Sequence, residues 1–153
     1  MIYEQNLDCV SEKAKILVKQ KEDKYFKYLN IGKLAYLLEE KKEMFTLNAN
    51  YKIDKIIKIE SIGLQEFMEI KTFSGSKVLI GQEAEVYIDD EWILSNQLRF
   101  HEDVFEYDIF KNDFKETFIM DIQQNKKSKA YQVFTEQNNG FVVNNLLVRN
   151  NSK

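Results

Sequence analysis

Two side chains near opposite ends of the chain could break and remake backbone bonds. Cys9 is the only cysteine. A thiolate is a strong nucleophile toward a carbonyl, including the peptide carbonyl that precedes it. Asn150 carries an amide whose nitrogen can attack its own backbone carbonyl, close a succinimide and cleave the chain there. A cysteine near one end, an asparagine near the other and a single domain between them is what self-excision requires.

The rest of the composition removes competing chemistries. With one cysteine there is no internal disulfide and no zinc site of the Cys₄ or Cys₂His₂ kind. His101 is the only histidine, and no Gly-x-Ser-x-Gly elbow surrounds a serine, which argues against a Ser-His-Asp hydrolase. Neither Gly-x-Gly-x-x-Gly nor Gly-x-x-x-x-Gly-Lys-Ser/Thr occurs, nor does Asp-x-Asp-x-Asp-Gly. We therefore expect no metal and no cofactor. A net charge of −3 argues against gripping nucleic-acid phosphates. No stretch approaches the ~18 apolar residues of a membrane span. The start, Met1-Ile2-Tyr3-Glu4-Gln5, lacks the basic and apolar regions of a secretory signal, so a cytoplasmic monomer is expected.

The elements that must position Cys9 and Asn150 are mostly strands. The 153 residues fit one domain and include no proline and only five glycines. Turns must then come from Asn, Asp, Ser and those few glycines. Val10 to Val18 is strand-like, and period-two alternation predicts strands over 52–59 and 67–73. Ser74-Gly75-Ser76 should turn the second into Lys77 to Ile80. Glu85 to Ile88 and Trp92 to Leu94 should form a hairpin about Asp89-Asp90-Glu91. Asn138-Asn139-Gly140 predicts a third hairpin, between Tyr131–Thr135 and Phe141–Val143. Ile31, Leu34, Ala35 and Leu38 share one helical face, which predicts a helix over 31–41 with Asn30 as its N-cap. Lys126, Lys127 and Lys129 read as a solvated loop.

With those residues in place, the chain resembles the splicing domain of inteins, the Hint fold shared with hedgehog autoprocessing domains. The first family block runs Cys-Leu-x-x-x-Thr-x-Ile-Leu; here it is Cys9-Val10 through Ile16-Leu17, with Ala14 in the threonine place. The second block carries Thr-x-x-His. Counting forward from Gly75, or back from Trp92, puts the histidine place at Ala84 and the threonine place at Gly81. The last blocks match without a gap. Tyr131-Gln132-Val133 has Gln132 in an aspartate place, Asn139 stands in a histidine place before the aromatic Phe141, and Leu147-Val148-Arg149-Asn150 ends with Arg149 for the penultimate histidine. The next residue should be Cys, Ser or Thr, but it is Asn151; a junction shifted to Asn151/Ser152 is also conceivable.

The resemblance implies a mostly β, Hint-type horseshoe of twisted hairpins with one short helix around 31–41. It implies a splicing domain over 9–150, an N-terminal flank over 1–8 and a C-terminal flank over 151–153, those flanks being its intramolecular substrate. It assigns Cys9 and Asn150 as reacting groups, with Arg149 and Asn139 assisting. Gly81, Ala84 and Gln132 have lost the family's polar side chains, which implies slow or defective splicing. Two other outcomes stay open: cleavage without ligation, and a non-catalytic β-rich domain that binds a protein through its 8 Tyr and 11 Phe. Each residue also has a plainer role: Cys9 as a small core residue, Arg149 as an ion-paired side chain, Asn139 as a turn residue, Asn150 as a polar tail residue, Trp92 as core and His101 as surface.

Overall fold

The computed structural model describes residues 9–149, apart from the side chain of Asn125. Two strands dominate it, β5 (Ile53–Thr72) and β10 (Asp113–Thr135). At ~3.3 Å per residue a straight 20-residue strand would run ~66 Å. A chain of this size has a radius of gyration of only ~15 Å, so such strands must bend. They pair antiparallel from Ile56–Thr135 to Thr72–Ile119, with register shifts at four points. One shift lies between Ala130 and Tyr131, where Ala130 faces Gly63 and Tyr131 faces Ser61. Gly63 has φ +82° there, a left-handed conformation that glycine adopts without a steric penalty.

The two predicted strands 52–59 and 67–73 are therefore one continuous element. Their alternation fades between them because residues 57–66 are mostly exposed or half-buried on both faces of the ribbon. Lys126, Lys127 and Lys129 lie within β10, opposite Phe67, Glu66 and Leu64, and not in a loop. Their side chains are exposed, so the solvated character is right and the backbone assignment is not.

Shorter strands are laced around this ribbon. They are β1 (Val10–Ser11), β2 (Lys15–Val18), β3 (Lys27–Asn30), β4 (Phe45–Leu47), β6 (Lys77–Ile80), β7 (Glu85–Ile88), β8 (Glu91–Leu94), β9 (Asp103–Asp108), β11 (Phe141–Val143) and β12 (Leu146–Arg149). The run after Cys9 is thus two strands, broken by a turn in which the Ala14 N–H meets the Ser11 carbonyl. The sheet order is β3-β2-β11-β12-β9-β10-β1-β6-β5-β4, with β7 on β12 and β8 on β7. Because β10 also pairs with β5, the strands β10, β1, β6 and β5 close a circuit.

Two of the three predicted hairpins form. β5 and β6 pair across Ser74-Gly75-Ser76, and β7 and β8 pair across Asp89 and Asp90, both at positive φ. The third does not form, since β10 and β11 have different partners. Positive φ falls on Asn138 and Gly140, and the Asn139 carbonyl accepts the Ala49 N–H from another part of the chain. The segment is a crossover between strands that are not neighbours in the sheet. The tight turn falls instead at Asn144-Asn145, both at positive φ, which joins β11 to β12.

The helix α1 spans Ile31–Glu39, two residues short of the expectation, and buries Ile31 and Leu34. It stops because the Lys41 N–H bonds Leu38 and the Lys42 N–H bonds Leu37, a Schellman close with Lys41 at φ +62°. Asn30 sits at the N-cap but makes no side-chain cap bond; the Ile31 N–H goes to the Ala14 carbonyl instead.

The core is continuous with these strands. β11 and the first three residues of β12 are buried on both faces, as suits strands at the middle of the fold. Fully burying each Val, Leu or Phe side chain contributes roughly 1.5–3 kcal/mol. No helix among the described residues is long and apolar enough to cross a membrane.

Candidate functional site

Cys9 enters β1, which is wedged between β10 and β6: Val10 faces Tyr131 on one side and Ile80 on the other. Continuing the β1–β10 register by one step sets Cys9 opposite Gln132. The Cys9 side chain is fully buried among Phe67 and Ala130, with Ile62 and Leu79 beside them. Its carbonyl accepts a 2.8 Å hydrogen bond from the Gly81 N–H. Gly81, which the resemblance puts in a threonine place, is therefore hydrogen-bonded to the backbone of Cys9.

From Gly81 the chain turns tightly. The Ala84 N–H returns to the Gly81 carbonyl at 3.1 Å, and Ala84 is buried. This turn is clamped from behind by the 3-10 turn Ser95–Gln97. The Ser95 N–H donates to the Ala84 carbonyl at 2.8 Å, its hydroxyl donates to the same oxygen, and the Asn96 N–H donates to the Gln82 carbonyl. Ser95 is not singled out by the sequence, because a lone serine after a strand has no distinctive spacing.

The C-terminal strand reaches the same segment. β12 pairs with β7, and Arg149 stands opposite Glu85, the residue after Ala84. The Arg149 Nε–H donates to Glu85 Oε1 at 2.9 Å, and both side chains are largely shielded from solvent. The guanidinium also lies over the Trp92 ring, 4.5 Å from its centroid. Trp92 is pinned in turn: a Cβ on Gly140 would sit 2.6 Å from its Cη2 atom. Asn139 immediately precedes that glycine and is half-buried.

Cys9, Gly81, Ala84 and Gln132 thus come together at one end of β6 and β7, and Arg149 joins them through Glu85. Asn139 precedes Gly140, which packs on Trp92, and its carbonyl is committed to the Ala49 N–H. Asn150, Asn151 and Ser152 lie outside the described residues. His101 is exposed, with its N–H on the Ile119 carbonyl and its ring 6.0 Å from that of Phe118. Trp92 packs as a partly buried member of a core cluster with Leu147 and Val142. Among the described residues no group of three or more His, Cys, Asp or Glu is arranged to hold a metal ion.

No protein-family model matches the chain, and no curated protein sequence matches it. Solved structures do. A DnaB intein from Synechocystis superposes with a TM-score of 0.75 at 19% identity, covering 94% of this chain and 99% of that one. A DnaX mini intein from Spirulina platensis gives 0.73 at 19% identity, covering 94% and 100%. The VidaL intein gives 0.77 at 12% identity, covering 98% and 100%. Likeness over the whole length at so low an identity is likeness of fold, and the chain has the Hint fold of the mini-inteins.

Proposed function

We propose that the chain is an intein-like self-processing domain spanning 9–150, with 1–8 and 151–153 as flanks and intramolecular substrate. The observation that carries the reading is convergence. The Gly81–Glu85 segment receives the Cys9 carbonyl at its start and Arg149 at its end, so residues 140 positions apart share one short stretch of backbone.

In the first step the Cys9 thiolate attacks the Asp8 carbonyl carbon. A carbon–sulfur bond forms, the Asp8–Cys9 amide breaks, and the freed Cys9 nitrogen takes up a proton. In the last step the Asn150 amide nitrogen attacks the Asn150 carbonyl carbon. A succinimide closes, and the residue 151 nitrogen leaves with a proton. Arg149 can donate hydrogen bonds to an oxygen on which charge develops, but a guanidinium stays protonated and cannot shuttle a proton.

The first step is slow because Ala84 offers no general acid for the departing nitrogen, a contribution typically worth ~10²–10⁴ in rate. Gly81 supplies a backbone N–H to Cys9 but no hydroxyl. Without a nucleophile at Asn151 the two ends are cleaved independently and not ligated.

The test places the domain between two reporter proteins. A thiol such as dithiothreitol should release the upstream reporter by a break before Cys9, and Cys9→Ala should abolish that release. The downstream reporter should part slowly after Asn150, with mass spectrometry showing the succinimide or its hydrolysis product. If thiol releases no more from the unaltered chain than from Cys9→Ala, and nothing parts after Asn150, the reading is wrong.

A further inference from the structure

The self-processing reading leaves a gap at its last step. Arg149 is a flexible cation in a position where its direction matters, and something must aim it. The two groups that fix it are both identified by the geometry. Glu85 accepts its Nε–H at 2.9 Å, a charge-assisted bond in a partly shielded site. Trp92 presents its ring face 4.5 Å from the guanidinium carbon, the arrangement in which a planar cation stacks on an aromatic face. The backbone reinforces both, since Arg149 and Glu85 are directly opposed in the β12–β7 ladder. Tyr87, two residues along the same strand, packs edge-on against Trp92 at 5.0 Å between ring centroids.

We propose that Glu85 is a positioning residue for release after Asn150: with Trp92 it fixes the direction of the Arg149 guanidinium, the group that the self-processing reading has assist at that junction. The proposal rests on the self-processing reading above. Glu85 touches neither reacting atom. It acts through Arg149 and has no part in the thiol step at Cys9, which uses the other end of the 81–85 segment. An ion pair that only stabilised the fold would affect both ends alike.

The experiment uses the full chain between its two reporters. Glu85→Gln keeps the shape and removes the charge. It should slow release after Asn150 by about tenfold, the scale of a misdirected positioning group, and leave thiol-dependent release before Cys9 within about twofold. Glu85→Asp, which keeps the charge on a shorter stem, should recover part of the loss. Arg149→His supplies a group that does not need the clamp, so Glu85→Gln added to it should have no further effect on release after Asn150. Thermal melting of each variant separates misfolding from misdirection. Arg149→Lys, which keeps the charge and loses the planar stack, replaces Glu85→Gln if the latter does not fold.

Equal slowing at both junctions, or none at either, overturns the proposal. So does an unaltered chain that breaks before Cys9 but never after Asn150. An unaltered chain that breaks at neither junction overturns the self-processing reading together with it.

Discussion

In the proposed self-processing reading Ala84 stands where a general acid would be needed, and a methyl group can neither donate nor accept a proton. The surrounding backbone is fixed, with the Gly81 N–H on the Cys9 carbonyl and the Ser95 N–H on the Ala84 carbonyl. Installing Ala84→His should therefore raise thiol-dependent release by ~10² or more, read as the first-order rate of upstream reporter loss. No gain in a folded variant would mean that the turn, and not the missing side chain, limits the step. Gly140 is constrained differently. It has φ +98°, and a Cβ there would meet Trp92 Cη2 at 2.6 Å and Leu147 Cδ1 at 3.2 Å. Left-handed strain and overpacking each cost on the order of 1–3 kcal/mol. Gly140→Ala should then destabilise the fold by about 2–4 kcal/mol in urea unfolding. It should also slow release after Asn150, because the displaced ring is the one beneath Arg149.

At the scale of elements, the ribbon of β5 and β10 shows what a bulge glycine does. Gly63 sits at φ +82°, and a methyl group added there would meet nothing within 4 Å, so Gly63→Ala should carry only the left-handed penalty, ~1–2 kcal/mol. Gly63→Asn should cost less, since asparagine tolerates that region. Denaturant midpoints check both, and a loss well above about 2 kcal/mol for alanine would show that the ribbon there packs against something. The elements themselves were legible where the pattern is local. Ile31, Leu34, Ala35 and Leu38 mark a helix by spacing alone, and Ser74-Gly75-Ser76 and Asp89-Asp90 mark turns by chemistry. Partner choice was not legible. Asn139-Gly140 reads as a tight hairpin, yet β10 goes to β5 while β11 goes to β12 and β2, because pairing is settled by burial on both faces and not by the turn. Much of the site followed the same division. The counts from Gly75 and Trp92 singled out Gly81 and Ala84, and the Gly81 N–H is hydrogen-bonded to the Cys9 carbonyl. Glu85 stayed hidden because its partner Arg149 is 64 positions away and no spacing rule links them.

Across the whole molecule, the end of β12 remote from Arg149 is tied to early and middle strands by a chain of polar groups. The Tyr28 hydroxyl on β3 donates to Asn145 Oδ1 at 2.6 Å, and Asn145 Nδ2 donates to the Ser76 hydroxyl at 2.9 Å. Close by, the buried Glu106 carboxylate of β9 accepts the hydroxyls of Thr72 and Ser74. Segments distant in sequence thus meet at one place, and their long-range pairing should make unfolding cooperative. Burial pushes the Tyr28 phenol well above its ordinary value, helped by the nearby negative charge of Glu106, and it pushes Tyr107 up as well. The folded state therefore keeps these phenols neutral where the unfolded chain ionises, near about pH 10. For an acid whose folded pKa is raised, the associated stability is present below the unfolded value and drains away as pH rises toward the folded one. Stability should thus fall steeply above about pH 10. Tyr28→Phe loses the bond to Asn145, so it should start about 1 kcal/mol lower at about pH 8. It also lacks the ionising group, so its curve should fall less and the gap between the two proteins should narrow by about pH 11. Urea unfolding at each pH measures that gap. A gap constant from about pH 8 to about pH 11 would mean that the Tyr28 phenol is not held neutral by the fold.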